Sequence, residues 1–68
     1  QTLVEGLLQL PIHYREALIL YYYDDYNISE IANILQVSEN TIKTRLARGR
    51  EKLKIILQEQ QWEVLQVD

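Results

Sequence analysis

Three features of the 68-residue sequence predict a small all-α fold of four helices. Apolar residues recur at helical spacing along most of the chain, with little of the two-residue alternation that is typical of strands. The chain contains only two glycines and one proline, so few positions interrupt a helix. N-capping side chains precede three of the apolar stretches, at Thr2, Asn27 and Ser38. We therefore expect one helical domain, near the lower size limit for a core without disulfides or metal.

The first helix is predicted over about residues 2–9, and the second from residue 11 to about residue 23 or 24. Thr2 and Glu5 have the spacing of a capping box. Pro11 suits the first turn of the second helix. That second helix is apolar around most of its circumference, so we expect it to be central and packed on several sides.

The second helix also carries a cluster of tyrosines, within Tyr14 to Tyr23. We interpret them as core residues whose hydroxyls reach the surface. The alternative is a platform on which single-stranded bases stack. Arg15 and Glu16 are expected on the solvent-exposed side of the helix.

Residues 27–50 have the pattern of two short helices joined by a tight turn. Asn27 and Glu30 form a second potential capping box, and Gln36-Val37 interrupts the helical pattern. Ser38 then begins a new helix as its N-cap. The inner face of the first of these helices comprises Ile31, Ala32 and Leu35. This layout predicts a helix-turn-helix, whose second helix would lie in the major groove of DNA.

The last helix is predicted to continue to about residue 58 or 60, with one buried and one exposed side. At about 100° per residue, the residues on the buried side are Ile42, Leu46, Gly49, Leu53, Ile56 and Leu57. The exposed side presents small and hydrogen-bonding side chains between two rows of basic residues, one with Lys43 and Arg50 and the other with Arg45 and Lys52. Basic rows suit phosphates and the strip between them suits base edges, although a charged outer face is often merely solvated. The candidate DNA-binding residues are Ser38, Asn40, Thr41, Lys43, Thr44, Arg45, Ala47, Arg48 and Arg50.

The charge distribution supports this interpretation although the whole chain is acidic, with a net charge of −3. Residues 43–54 hold six of the seven basic side chains and one acid, which gives that segment a net charge of +5. The rest of the chain carries one basic side chain and nine acids, a net charge of −8. A phosphate would therefore meet a positive local field. The acidic remainder should weaken non-specific binding to DNA.

Several classes of function are disfavoured by the composition. Without cysteine and with a single histidine, His13, the chain offers no zinc site, and no nucleophile–base pair or phosphate loop indicates an enzyme or a cofactor. No apolar run approaches the roughly 20 residues of a membrane span, and no signal peptide opens the chain, so we expect no membrane insertion.

Because the sequence begins at Gln1 rather than methionine, we expect a fragment of a longer protein. We predict a single domain over 1–68.

The domain is expected to have a core over 1–60 and a tail over 61–68. The tail contains Trp62, Val64, Leu65 and Val67 and no proline or glycine. One interpretation is a segment that packs lightly or frays. The other is a continued helix whose apolar side chains meet a partner. The sequence leaves both open.

A longer string of motifs spans about residues 7–57. Its components are Leu10-Pro11, Tyr14-Arg15-Glu16, Tyr22-Tyr23-Asp24, Glu30-Ile31-Ala32 and the run from Thr41 to Glu51. In this order they closely resemble region 4, the C-terminal conserved region of bacterial sigma factors, and particularly the extracytoplasmic-function group. The resemblance covers most of the chain and is more specific than a helix-turn-helix alone.

The resemblance implies a four-helix domain that recognises the −35 promoter element in double-stranded DNA. It further implies a bacterial cytoplasmic protein that contacts the β flap of the RNA polymerase core and is often bound by an anti-sigma factor. The recognition-helix contacts of the family fall on Thr41, Lys43, Thr44, Ala47, Arg48 and Arg50. Two departures stand out: Gln36 occupies a turn position where many helix-turn-helix proteins have glycine, and Ala47 is smaller than its counterpart in some members.

Two other functions remain possible at this point. One is the DNA-binding output domain of a LuxR-type response regulator, which also has four helices and a similar segment over 28–43. Two features count against it. One is Leu10-Pro11 at the start of the second helix, and the other is the run from Arg48 to Glu51 within one long helix. The other is a protein-interaction module whose basic helix binds an acidic protein. DNA binding at low salt would separate that module from a DNA-binding domain.

Overall fold

The computed structural model of the chain describes the backbone of residues 2–67 and the side chains of residues 2–59. Within that range it contains four α-helices and no strand: α1 (Leu3–Leu8), α2 (Ile12–Tyr22), α3 (Ile28–Leu35) and α4 (Glu39–Val67). The long helix α4 packs against each of the other three, and α2 also packs against α3. The predicted all-α fold with a long C-terminal helix is confirmed.

The core lies where α1, α2 and α3 meet the first half of α4. Its buried residues are Leu7, Leu10, Ala17, Leu18, Ile31, Ala32, Ile42 and Leu46. Ile31 of α3 and Ile42 of α4 are both fully buried, and Val37 in the turn between them packs against the same cluster. Each fully buried side chain of this size contributes about 1.5–3 kcal/mol. The predicted inner faces of α3 and α4 are therefore confirmed.

Helix α1 is held at both ends by side chains. At its start, the Glu5 amide donates to Thr2 Oγ1 at 3.2 Å, as a capping box predicts. The Glu5 carboxylate accepts from the Thr2 hydroxyl, also at 3.2 Å, so the reciprocal bond of a capping box is replaced by one between side chains. The helix ends at Leu8, one residue earlier than predicted.

Arg15 corrects a prediction, because it does not simply face solvent. Its Nε donates to the Leu7 carbonyl at 3.1 Å, and its Nη2 donates to the carbonyls of Leu8 at 3.1 Å and Leu10 at 3.0 Å. Leu7 and Leu8 belong to the last turn of α1, where intrahelical donors run out, and Arg15 donates to their carbonyls from α2. Glu16 is likewise half-buried rather than exposed.

Two glycines lie where other helices approach α4 closely. A Cβ on Gly6 would lie 3.0 Å from Leu57 Cδ2 and 3.1 Å from Leu53 Cδ1. A Cβ on Gly49 would lie 3.2 Å from atoms of both Tyr14 and Leu18. At each position a neighbouring side chain would have to move by a few tenths of an ångström to admit a Cβ, so both glycines lie at close helix–helix contacts.

Helix α2 is central, as its apolar circumference predicts, but its tyrosines divide into two pairs. Tyr14 and Tyr21 are half-buried and pack against the core. Tyr22 and Tyr23 are 52% and 56% exposed, so the prediction of core packing is wrong for them. They lie at the end of the helix, next to a turn in which Asp25 has a φ of 60°.

The helix-turn-helix forms as the capping pattern predicts. The Glu30 amide donates to Asn27 Oδ1 at 2.8 Å, and the Asn27 amide donates to Glu30 Oε1 at 2.9 Å, which completes the capping box. Gln36 has a φ of 59°, the left-handed conformation that favours glycine, and its Nε2 donates to the Asn33 carbonyl at 2.7 Å. The Val37 amide donates to the Ala32 carbonyl at 3.0 Å. These bonds end α3 and turn the chain into α4.

The backbone of α4 continues as a helix to Val67, past the predicted end near residue 60. Its 29 residues correspond to a length of about 43 Å. The backbone of residues 61–67 is helical, but the two interpretations of the tail also depend on what its side chains contact, and both stay predictions. Whether its apolar side chains at Trp62, Val64, Leu65 and Val67 meet a partner lies outside the described side chains. No helix in the described part of the chain is both long and apolar enough to cross a membrane.

Candidate nucleic-acid interface

The solvent-facing side of α4 carries most of the candidate DNA-binding residues. The exposed members of the predicted set are Ser38, Asn40, Lys43, Thr44, Ala47, Arg48 and Arg50. They project away from the core because Ile42, Leu46 and buried Gly49 occupy the opposite side of the helix. Thr41 and Arg45 are half-buried at the margin of this surface.

Ser38 and Thr41 form the N-terminal cap of α4. The Thr41 amide donates to Ser38 Oγ at 3.1 Å, and the two hydroxyl oxygens lie 2.9 Å apart. The predicted N-cap is thereby confirmed, and both hydroxyls already share a hydrogen bond. Glu39 stands in the first turn, where a negative charge suits the positive end of the helix. Because this cap starts α4 directly after Ser38, it determines where along the chain the solvent-facing side of α4 begins.

One basic flank comprises Lys43 and Arg50, both exposed. Arg50 is also tied to α2, because its Nη1 donates to the Tyr22 hydroxyl at 3.0 Å. The Tyr22 ring packs edge-on against Tyr21, with centroids 5.0 Å apart and an interplanar angle of 82°. The sequence predicted the position of Arg50 on the helix but not this contact.

The other basic flank, Arg45 and Lys52, faces α2 more than the sequence predicted. Lys52 Nζ lies over the Tyr14 ring, 5.8 Å from its centroid, a cation–π distance. Arg45 is half-buried beside the same end of α2. A helical wheel gives the angle of these side chains but not the neighbouring helix, which is why the contact with Tyr14 was missed. Lys52 therefore lies over Tyr14 while its side chain stays exposed.

A cleft of about 550 Å³ lies between the first turn of α2 and the exposed face of α4. Its lining residues are Pro11, His13, Tyr14, Asn40, Thr41, Thr44, Arg45 and Arg48. None of them is acidic, two are arginines, and the first turn of α2 contains no acid either. Such a surface favours an anion. His13 was not predicted to belong to this surface; it lies here because it stands in the first turn of α2, two residues after Pro11.

The arrangement suits the major groove of double-stranded DNA. A single α-helix fits a groove about 12 Å wide, and its outer side chains then reach base edges. Thr44, Ala47 and Arg48 occupy the middle of the exposed face, while Lys43 and Arg50 lie to one side. If α4 lay in a major groove, the first three would face base edges and the last two would face phosphates.

The family model described as sigma-70, region 4, matches residues 1–53 of this chain. Among curated relatives, the ECF RNA polymerase sigma factor SigW of Bacillus subtilis is 42% identical over 53 residues, which cover 78% of this chain and 28% of the relative. The ECF RNA polymerase sigma factor SigM of the same organism is 39% identical over 56 residues, 82% of this chain and 34% of the relative. The RNA polymerase sigma factor SigV, also of B. subtilis, is 40% identical over 53 residues, 78% of this chain and 32% of the relative.

This chain spans about a third or less of the length of these relatives. The matched segment contains α1, α2, α3 and the first half of α4, which together form the buried core and the exposed basic face. The chain belongs to the sigma-70 region 4 family.

Proposed function

We propose that this chain is the part of an extracytoplasmic-function sigma factor that binds the −35 promoter element in double-stranded DNA. The observation that supports this most directly is the exposed face of α4, where Thr44, Ala47 and Arg48 lie beside the basic pair Lys43 and Arg50. In this proposal α4 lies in the major groove and the protein directs RNA polymerase to promoters in the bacterial cytoplasm. Family membership and the names of the relatives support the same assignment.

The charge distribution explains why such a domain would act as part of a larger assembly. The segment 43–54 carries a net charge of +5, but the rest of the chain carries −8. Contacts with phosphates account for most non-specific affinity and for its salt dependence. The acidic remainder opposes that contribution, so the domain would bind stably only where its specific contacts form or where polymerase holds it near the promoter.

The RNA polymerase core, through its β flap, is the proposed protein partner, and an anti-sigma factor is a second one. Apolar side chains on α1 and at the start of α2 supply a surface for a protein: Leu3, Val4, Leu8 and Ile12 are 47%, 57%, 61% and 50% exposed. Val4 and Leu8 lie one turn apart on the same side of α1, and adjoining exposed apolar side chains are typical of protein-binding sites. A pull-down with a β-flap fragment tests the contact. Failure of the folded chain to retain that fragment would argue against the polymerase assignment.

Duplex binding tests the proposed DNA-binding function. The 68-residue chain is titrated at low salt into labelled duplexes that carry promoter −35 sequences, with scrambled duplexes of the same composition as controls. The same comparison is made with the full-length protein that contains this chain, bound to RNA polymerase core. We expect preference for a −35 sequence in both. Equal affinity for every duplex, together with tight binding to an acidic protein, would instead indicate a protein-interaction module.

A further inference from the structure

We propose that Tyr22 and Arg50 together bind one phosphate of the DNA backbone, so that the DNA-binding surface includes the end of α2. This inference rests on the proposed function, because it adds a residue outside α4 to the same interface. In this proposal the Tyr22 hydroxyl reaches the phosphate together with Arg50 and positions the Arg50 side chain, so the two contacts depend on each other.

The hydrogen bond between the two side chains leaves both with donors to spare. Arg50 Nη1 donates to the Tyr22 hydroxyl oxygen at 3.0 Å. A guanidinium can only donate, so Tyr22 is the acceptor and its own hydroxyl proton is free for another acceptor. The remaining N–H groups of Arg50 suit the bidentate binding of phosphate. Both residues therefore offer donors, and neither offers a negative charge, to the same point at the surface.

The pair is held in place before any ligand arrives. Tyr22 packs edge-on against Tyr21, which is half-buried and packs against the core. The Tyr22 ring is nonetheless 52% exposed, so its hydroxyl is accessible. The hydrogen bond in turn restrains the long side chain of Arg50. Restraint before binding lowers the entropy lost when a phosphate is bound.

The position of the pair matches one wall of the groove. Arg50 follows Lys43 by seven residues, so the two lie on the same flank of α4 at about 10 Å along its axis. Lys43 is exposed, and Tyr22 extends this flank beyond α4. A simpler role for the Tyr22–Arg50 hydrogen bond would be only to join α2 to α4. Measurements of DNA affinity and of thermal stability distinguish this role from phosphate binding.

Tyr22→Phe removes the hydroxyl and keeps the ring. Tyr23→Phe is the matched control, because Tyr23 lies next in the chain and is 56% exposed. Affinities for a panel of −35 duplexes are measured for the 68-residue chain at low salt and for the full-length protein with RNA polymerase core. We expect Tyr22→Phe to lower affinity about two- to tenfold for every duplex, without changing their order. Tyr23→Phe should bind as the wild type does.

A double-mutant cycle with Arg50→Ala tests the coupling. If the two side chains bind one phosphate, Tyr22→Phe should cost little further affinity once Arg50 is absent. Unchanged or increased affinity for Tyr22→Phe, or a loss of equal size with and without Arg50, would overturn the inference. A lower Tm for Tyr22→Phe with unchanged affinity would assign it the simpler joining role. A wild-type protein that binds no duplex would overturn the proposed function as well, so the two failures are distinguishable.

Discussion

Arg15 is the side chain that holds the end of α1 against α2. Its guanidinium donates to the carbonyls of Leu7, Leu8 and Leu10. We expect Arg15→Ala to lower the free energy of unfolding by about 2 kcal/mol, since it removes three charge-assisted hydrogen bonds that are partly exposed. In a domain of this size, that corresponds to a fall in Tm of roughly 8–16 °C, measured by thermal unfolding.

Arg48→Ala is the control for this change. Arg48 is an exposed arginine on α4, so its loss removes the same charge without the bonds to α1. We expect its Tm to stay within a few degrees of the wild-type value. If Arg15→Ala and Arg48→Ala unfold at the same temperature, the three hydrogen bonds do not stabilise the domain.

Asp25 adopts a backbone conformation that costs stability. Its φ is 60°, in the left-handed region, and its side chain is exposed. Glycine reaches this region without a steric penalty, so we expect Asp25→Gly to stabilise the domain by about 0.5–1 kcal/mol. The change would appear as a rise in Tm of roughly 2–8 °C.

Asp24→Gly separates backbone conformation from charge. It removes a neighbouring acid at a residue whose φ is not positive. We expect no gain in Tm from this variant, because glycine there only adds entropy to the unfolded chain. An equal rise in Tm for both variants would show that loss of negative charge, and not the left-handed φ, causes the stabilisation.

At the scale of the helices, stability depends on the buried side of α4. Leu46 is 3% exposed and belongs to the core that α4 forms with the other helices. Leu46→Ala should therefore lower the free energy of unfolding by about 2–4 kcal/mol. That is a large part of the stability of a domain this small. Thermal or denaturant unfolding measures the loss.

Ile55 provides a control within the same helix. It is a similar aliphatic side chain that is 47% exposed. Ile55→Ala should cost less than about 1 kcal/mol, because it leaves no buried cavity. A Leu46→Ala variant that unfolds at the temperature of the wild type, or of Ile55→Ala, would mean that the buried face of α4 is assigned incorrectly.

Periodicity and capping made the helices predictable. The spacing of Ile42, Leu46 and Leu53 identifies the buried side of α4, because side chains that recur about every 3.6 residues share a face. Asn27 and Glu30 identify the start of α3, because a capping box depends only on residues three apart. Both signals are local in the chain, and the structure confirms both.

Contacts between helices were less predictable. A helical wheel predicts that Arg15 is solvent-exposed, but the end of α1 lies beside it and accepts its hydrogen bonds. The same wheel places Lys52 in one of the two basic rows of α4, but the structure shows its Nζ over the Tyr14 ring of α2. Periodicity gives the direction of a side chain from its own helix. It does not give the neighbouring helix that fills that direction, so these partners could not be inferred from sequence.

The whole molecule combines an acidic body with one basic face. Residues 43–54 carry a net charge of +5, against −8 for the remainder. Exposed basic residues on α4 would meet phosphates, while the acidic remainder limits binding away from a specific site. In this proposal, discrimination among DNA sequences depends on the middle of the exposed face of α4. Affinity for any duplex, whatever its sequence, depends on the basic flank of that face.

The division of α4 into base-contacting and phosphate-contacting residues can be tested with two variants. Arg48 lies towards the middle of the exposed face and Lys43 lies on its flank. Arg48→Ala should cost roughly 1–3 kcal/mol on the preferred −35 sequence and relax preference at one base pair. Lys43→Ala should weaken binding to all duplexes alike. It should also reduce the number of counterions released on binding, measured from the salt dependence of the affinity, by about one.

The measurement is the affinity of the wild type, Arg48→Ala and Lys43→Ala for a panel of single-base −35 variants at several salt concentrations. The full-length protein with RNA polymerase core is used, so that weak binding by the domain does not limit the assay. We expect Lys43→Ala to keep the wild-type order of the duplexes and Arg48→Ala to lose discrimination at one position. A reordered panel for Lys43→Ala, with the wild-type order intact for Arg48→Ala, would contradict the proposed orientation of α4 in the groove.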